Sequence, residues 1–565
     1  MKQFTTFFFI IGFAFSASCQ NFHLILNGST TIEKRLIDSI TYQKKHKEAK
    51  SVNDEVNKVS DKLSKIGYIE NQLIHFAKKN DTTYVGEFSI GEQIKYVHIH
   101  LKHIPKQNDI ISLVEKDSLI IPYIEIEDFL SQTLKKAEQK GFALTKLNLS
   151  KIQKKGTILY AELELKTDNE RTINTIVAKY AEENRKAELP KGHLKQINSK
   201  YNKQIFNKNT IQKIHKDFEK FRFVNQIKYP EILLLKDSTK VYVYLEKRKS
   251  NNFDGFVGFT TNENSKVIFS GYLDLTLENT LKAGEQFSLY WKSDGNDQKT
   301  FRTNLEVPYI FNSNIGIKAQ INIFKQDSIF QNTKTSFDLG YLVNYNTRIY
   351  LGYQATESSD IQNTNSNNIQ DYKNSFITSK LEYSKFDYDI PLFPDKTKIR
   401  FTTGFGKRTN NTAFVSESNK QYYIDLNASH TIEINNKNHF NINSQNFYLN
   451  SNNFLVNELF RFGGTNSIRG FAENSLQAEY MSAIMTEYRF IASPNLYLHS
   501  IIDYSIYKDP FSTLKKIETL TGIGIGIGLQ TKNGLLKLTL ANGIDKNQKT
   551  DINNTIISLK FNITF

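Results

Sequence analysis

The last stretch of the chain, Thr555-Ile556-Ile557-Ser558-Leu559-Lys560-Phe561-Asn562-Ile563-Thr564-Phe565, decides the fold. Ile557, Leu559, Phe561, Ile563 and Phe565 alternate with Ser558, Lys560, Asn562 and Thr564. Successive side chains of an extended strand point to opposite faces, so one face here is apolar and the other polar. A soluble sandwich or solenoid ending on such a strand would leave an apolar edge open to aggregation. A closed barrel in a lipid bilayer has no edge, and it uses both faces, one against lipid and one against a wet lumen.

The same period of two extends upstream to about residue 250. Val267, Phe269, Leu273 and Leu275 oppose Ser270, Asp274 and Thr276, and Phe301, Leu305 and Val307 oppose Arg302, Asn304 and Glu306. Runs of this kind lie near residues 253, 266, 284, 299, 315, 333, 345, 373, 397, 419, 437, 476, 494, 517, 534 and 555. They amount to about sixteen antiparallel strands, an even number that puts both ends of a barrel over residues 251–565 on the same side of the membrane. The Asn- and Ser-rich linker Glu357 to Asn374 reads as a loop on the opposite, outer side.

Before residue 250 the pattern mixes short strands with amphipathic helices. A strand, Phe22 to Leu26, precedes a helix start at which Thr30 and Glu33 have capping-box spacing. A second helix, Val52 to Ile66, stops at Gly67-Tyr68, and Tyr96 to Leu101 reads as a strand. The ending recurs: a helix through Phe129 to Lys140 stops at Gly141-Phe142 before the strand Ile158 to Leu165. A third helix runs to Lys220, reaches Phe221-Arg222-Phe223 without a glycine, and leads to the strand Val241 to Leu245. A period of about 75 to 80 residues, each with a helix pair, predicts three α+β modules. Their bounds are set at 21–102, 103–167 and 168–250. Three unrelated domains that share ordinary glycine helix stops are the alternative.

Residues 1–19 have the layout of a secretory signal: Lys2, an apolar run from Phe4 to Phe15, then Ser16-Ala17-Ser18. Cys19, the only cysteine, excludes an intrachain disulfide and marks either the cleavage region or a partly matching lipidation site. No later run of 18 apolar residues suggests a transmembrane helix. The net charge of +15 is spread along the chain, which fits a solvated surface rather than a nucleic-acid footprint.

Between the eleventh and twelfth strands stands Phe460-Arg461-Phe462-Gly463-Gly464-Thr465-Asn466-Ser467-Ile468-Arg469-Gly470-Phe471. Further on, Gly522, Gly524, Gly526 and Gly528 alternate with Ile523, Ile525, Ile527 and Leu529. If the glycines face inward, the lumen has room for an inserted loop; a tightly curved strand is the other reading. The loop segment resembles the conserved loop of the outer-membrane assembly-factor superfamily, the family of BamA, TamA and the two-partner secretion transporters.

The resemblance implies three POTRA-like periplasmic modules, a sixteen-stranded outer-membrane barrel and a functional loop carried by Arg461, Gly463, Gly464, Arg469, Gly470 and Phe471. It also implies that Glu487 and Asp503, on the strands after the loop, hold the loop arginine. The barrel would close by pairing Phe253–Thr261 with Thr555–Phe565. Gly255 and Gly258 would weaken this lateral seam, and Phe565 would end it.

The implied activity is insertion or translocation without nucleotide, by lateral opening, in a chain of TamA-like size. Its implied partners are unfolded outer-membrane β-proteins as clients, outer-membrane lipid, and periplasmic chaperones or an inner-membrane protein. A passive or selective pore with a periplasmic scaffold is the alternative. No nucleophile elbow, phosphate loop or metal-spaced His/Cys cluster is present, so no enzyme, cofactor or metal is expected. His23, His98, His100 and His103 read as surface histidines.

Overall fold

The structure, a computed structural model, describes residues 21–101, 117–180, 189–236, 238–261, 267–294, 298–362, 368–412, 415–513, 516–545 and 555–565. The expected signal segment, Cys19 and His103 lie outside them. The chain divides into two compact units: the chain up to Thr172 with Gln204–Thr210, and Ile173–Lys203 with Ile211–Phe565.

The first unit contains two four-stranded sheets. In the first sheet the order is Lys45–His46, Phe22–Gly28, Thr83–Ser89, Gln72–Asn80. Helices Thr31–Ser39 and Ala49–Lys65 cover it, and Val52, Val56, Val59 and Leu63 form one buried helical face against Leu24, Leu26 and Phe88. The capping box forms as expected: Thr30 Oγ1 accepts from the Glu33 amide at 3.3 Å, and the Glu33 carboxylate accepts from the Thr30 amide at 3.0 Å. Gly67 follows the second helix at φ +104°, a conformation that favours glycine.

The second sheet runs Ser118–Pro122, Tyr96–His100, Ile158–Lys166, Lys146–Lys155, under the helix Ile126–Gln139. This corrects one expectation. The strand Tyr96–His100, assigned above to the first module, pairs in parallel with Ile158–Lys166, and its Val97 and Ile99 share a core with Ala137, Leu159 and Leu163. The boundary therefore falls before Tyr96. Alternation identifies a strand locally but does not name its partner. Among the described residues this module has one α-helix rather than the expected pair.

The second unit opens with a third such sheet. Thr239–Lys247 pairs in parallel with Thr175–Tyr180, and in antiparallel with Val224–Gln226 and Glu231–Leu234. Helices Lys191–Tyr201 and Lys208–Glu219 accompany it. In all three modules the first strand lies parallel to the last. Parallel neighbours need a crossover, and the helices provide it.

Sixteen strands then close a barrel in sequence order. They are β1 (Asn252–Thr261), β2 (Val267–Glu278), β3 (Gln286–Asp294), β4 (Gln298–Val307), β5 (Ile315–Gln326), β6 (Phe330–Asn344), β7 (Thr347–Asp360) and β8 (Tyr372–Phe386). The others are β9 (Asp395–Thr412), β10 (Val415–Asn435), β11 (Asn438–Asn450), β12 (Tyr480–Ser493), β13 (Leu496–Lys508), β14 (Glu518–Gln530), β15 (Gly534–Ile544) and β16 (Ile556–Thr564). Each pairs antiparallel with its neighbour, and the even number fits closure of the last strand on the first. Outward positions such as Leu339, Leu351, Ile377 and Ile525 are exposed apolar residues, whereas Asp338, Lys380, Glu306 and Lys318 are buried inside. No helix among the described residues is long and apolar enough to cross a membrane.

The closure is short. Two residue pairs join β1 to β16, Asn252 with Thr564 and Phe253 with Ile563. The adjoining ladders run from Asn252 to Thr261 on β1 against β2, and from Gly534 to Ala541 on β15 against β16.

Candidate functional site: the luminal loop and the seam

The segment between β11 and β12 folds back inside the barrel. Phe460–Phe462 and Leu476–Ala478 pair as a small hairpin within it. Gly463 and Gly464 lead into its turn at φ +103° and +97°, and a Cβ on Gly463 would stand 2.6 Å from the Ala472 carbonyl oxygen. Phe462, Ile468, Phe471 and Ala478 pack with Met481, Ala483 and Leu520 of the barrel wall. Apolar contact therefore fixes the loop's general position, and its polar contacts fix its register.

The central polar contact is a fork. Asp503 on β13 receives Arg469 three times: from the backbone amide at 3.0 Å, from Nε at 2.8 Å and from Nη2 at 2.5 Å. The other guanidinium nitrogen, Nη1, donates to Glu487 on β12, and Nη2 also reaches the Thr486 carbonyl at 3.2 Å. Glu487 takes two further cations, Arg489 at 2.7 Å and Lys537 at 2.9 Å. Asp503 is fully buried and Glu487 almost so. Charge-assisted, bidentate bonds at this burial hold orientation as well as distance.

The glycines make this approach possible. Gly470 has φ +89°, and a Cβ there would stand 2.3 Å from the Asn542 carbonyl carbon and the Gly543 nitrogen. Gly522 and Gly543 are cross-strand partners on β14 and β15. A Cβ on Gly522 would meet the Arg469 carbonyl oxygen at 2.3 Å, and one on Gly543 would meet that of Gly470 at 2.5 Å. The expected glycine row does face away from the exposed Ile523, Ile525, Ile527 and Leu529. Of its four members, Gly522 is the one that faces the loop. Gly526 and Gly528 instead face the rings of His499 and Tyr497, and Gly524 faces the β15 backbone.

Arg461 is apart from the fork: it lies over the Phe330 ring at 5.6 Å and reaches the Val456 carbonyl at 3.5 Å. At the seam, the Phe565 amide donates to the Asn251 carbonyl at 2.9 Å. Gly255 and Gly258 pair with Leu273 and Ser270 of β2, beyond the residues that β16 pairs. The rings of His98 and His100 are 4.9 Å apart. Among the described residues, no three of His, Cys, Asp and Glu gather as a metal site.

The structure also supplies a second anchor that the sequence reading missed. Arg408 on β9, fully buried, pairs with Glu458 of the loop and bonds Asn410 at 2.9 Å. Glu458 also accepts from Gln421 on β10 at 3.0 Å. The neighbouring Asn457 donates to Ser358 at 2.7 Å and to the Gln370 carbonyl at 2.8 Å, and its carbonyl accepts from Asn332 at 2.6 Å. The loop is thus held on two walls. No local pattern marks Arg408, because an arginine on the polar face of a barrel strand is ordinary.

At the turn end of the barrel, the third module is fastened to it. Arg222 donates to Glu278 at 2.7 Å, and Gln196 to the Asn312 carbonyl at 2.9 Å. His193 is buried among the rings of Phe221, Phe223, Tyr309 and Tyr345, and neither ring nitrogen has a hydrogen-bond partner. Burial, helped by the charge of Arg348, lowers its pKa to about 3.

Comparison with known proteins adds the family context. The model of the Omp85 superfamily domain matches residues 279–565, just over half of the chain. Among solved structures, BamA from Haemophilus ducreyi lacking POTRA domains 1–3 is 14% identical, with a TM-score of 0.46 over 82% of this chain and 99% of that one. CdiB from Acinetobacter baumannii is 13% identical, with a TM-score of 0.49 over 84% of this chain and 90% of that one. CdiB from Escherichia coli is 12% identical, with a TM-score of 0.48 over 91% and 97%. No curated protein sequence matches the chain.

Proposed function

The chain belongs to the Omp85 superfamily, the outer-membrane assembly-factor family that its loop resembles, and from that premise we propose that it inserts or exports β-rich client proteins by opening the seam between β1 and β16. The barrel lies in the outer membrane and the N-terminal modules in the periplasm. The observation that carries the reading is the seam itself: two residue pairs close it, between much longer ladders on either side. Opening it breaks few backbone bonds and exposes two strand edges, which a client strand can pair with.

Three modules, taken as 21–94, 95–167 and 168–250, would receive the client. Gln72–Asn80 and Lys146–Lys155 stand at sheet ends, where an unfolded β-rich client adds a strand through backbone hydrogen bonds and so with little sequence preference. Folding of the client supplies the driving force, so the process requires no nucleotide and no catalytic group. Chaperones or an inner-membrane partner would deliver the client on the periplasmic side. The loop-filled lumen favours this reading over a passive pore, which needs an open channel.

Cysteines at Phe253 and Ile563, or at Asn252 and Thr564, test the proposal. Antiparallel partners lie roughly 4.5 to 5.5 Å apart at Cα, within disulfide range. The bridged protein is expected to lose client assembly and to regain it on reduction. A complete bridge with undiminished assembly would overturn lateral opening.

A further inference from the structure

Beyond its two ladder pairs and the Phe565–Asn251 backbone bond, the seam is held by side chains that join β16 to the first strand and to the luminal loop. Asp254 on β1 has no ladder partner on β16. Its Oδ1 accepts instead from the Phe561 amide of β16 at 3.2 Å, and the Tyr272 hydroxyl of β2 donates to the same oxygen at 2.7 Å. A side chain thereby takes the backbone donor where the ladder has ended.

The lysine one residue earlier, Lys560, turns into the lumen and donates to Asn466 Oδ1 of the loop at 2.7 Å. It also lies in the field of the Asp254, Glu473 and Asp274 carboxylates. On the other side of the seam, Lys292 of β3 stands 3.6 Å from the loop's Glu473. The loop therefore touches β16 through Asn466 and β3 through Glu473, and β1 and β2 lie between.

We propose that Asp254 and Lys560 are positioning residues of lateral opening. Asp254 extends the seam by one side-chain bond, and Lys560 ties the last strand to a loop that is itself fixed by Arg469. Movement of the loop and release of β16 are then a single event. This inference rests on the lateral-opening reading for its consequence, though not for its geometry.

The test uses the full-length protein in lipid vesicles, with Asp254→Ala, Lys560→Met and Asn466→Ala, alone and in pairs. The first readout is amide hydrogen exchange of β16, with β9 and β10 as an internal reference. Losing one hydrogen bond to a charged group is expected to speed exchange over Ile556–Thr564 by about tenfold to a hundredfold. Lys560→Met and Asn466→Ala together should do no more than either alone, because they break one contact. A merely structural role would raise exchange throughout the barrel, and that result, or no change at β16, overturns the proposal. Purely additive effects of Lys560→Met and Asn466→Ala overturn the loop tie.

The second readout is insertion of an unfolded outer-membrane barrel protein. A latch that restrains opening predicts faster insertion in Asp254→Ala and Lys560→Met. Faster β16 exchange with unchanged insertion would uphold the latch and overturn lateral opening, so the two failures are distinguishable.

Discussion

Asp503 receives Arg469 through three hydrogen bonds, one from its backbone amide and two from its guanidinium, so one carboxylate fixes both the path of the loop and the direction of its side chain. Arg469→Ala removes the fork: Glu487 keeps Arg489 and Lys537, whereas Asp503 loses the guanidinium that it receives. Asp503→Ala leaves a buried guanidinium with Glu487 as its remaining carboxylate and releases the loop backbone as well. Breaking a buried pair by removing one partner costs about 3 to 5 kcal/mol, less in a wet lumen. Asp503→Ala is therefore expected to loosen the loop more than Glu487→Ala. Protease cleavage within residues 460–478, in a barrel that still resists heating in detergent, measures this. Normal loop protection and client assembly in Arg469→Ala would remove the loop from the mechanism.

Gly522→Ala places a methyl group 2.3 Å from the Arg469 carbonyl oxygen. Neither backbone gives easily, so the loop must lift from β14. Such overpacking typically costs about 1 to 3 kcal/mol. Ile525→Ala, on the exposed face of the same strand, should leave the loop protected. Equal protease sensitivity of the two variants would show that loop docking does not depend on the glycine surface.

Arg408 and Glu458 form a buried pair between wall and loop. Arg408→Met strands the Glu458 carboxylate, and Glu458→Leu strands the guanidinium. Arg408→Met with Glu458→Leu strands neither, so the double variant should be more stable than the sum of the single losses, by about 1 kcal/mol or more. Thermal unfolding of the four proteins closes this cycle. Additive losses would mean that the pair is not coupled.

Acidification should loosen the third module from the barrel turns. His193 titrates near 6.5 when exposed and at about 3 in its buried site, chiefly through burial and next through Arg348. The undocked state therefore binds the proton first. Docking is at full strength above pH 6.5 and weakens as pH falls towards 3, by roughly 1.4 kcal/mol for each pH unit. His193→Phe should flatten that slope. The nearby Arg222–Glu278 pair is unchanged in His193→Phe, so the comparison of the two proteins isolates the histidine. Crosslinking between residues 196 and 312, followed against pH in both proteins, decides it.

Much of this fold was legible locally. A side-chain period of two is a property of each strand alone, so alternation located sixteen strands and placed the loop after the eleventh. The capping box at Thr30 and the helix stops at Gly67 and Gly141 depend on neighbours a few residues away, and they too were readable. Arg469, Glu487 and Asp503 were legible only because a motif resemblance named them, and the structure brings them within bonding distance.

What the chain does not state locally is which surfaces meet. Tyr96–His100 reads as a strand in any context, but its place in the second sheet follows from the core that Val97 and Ile99 share with Ala137. Gly543 carries no signal until it is seen opposite Gly522, and Arg408 meets Glu458 only because the barrel curves one wall towards the loop. The two-pair seam, the Asp254 bond that prolongs it and the Lys560–Asn466 tie arise from closure. Joining the first strand to the last is a condition on the whole barrel, and tertiary structure alone decides how well it is met.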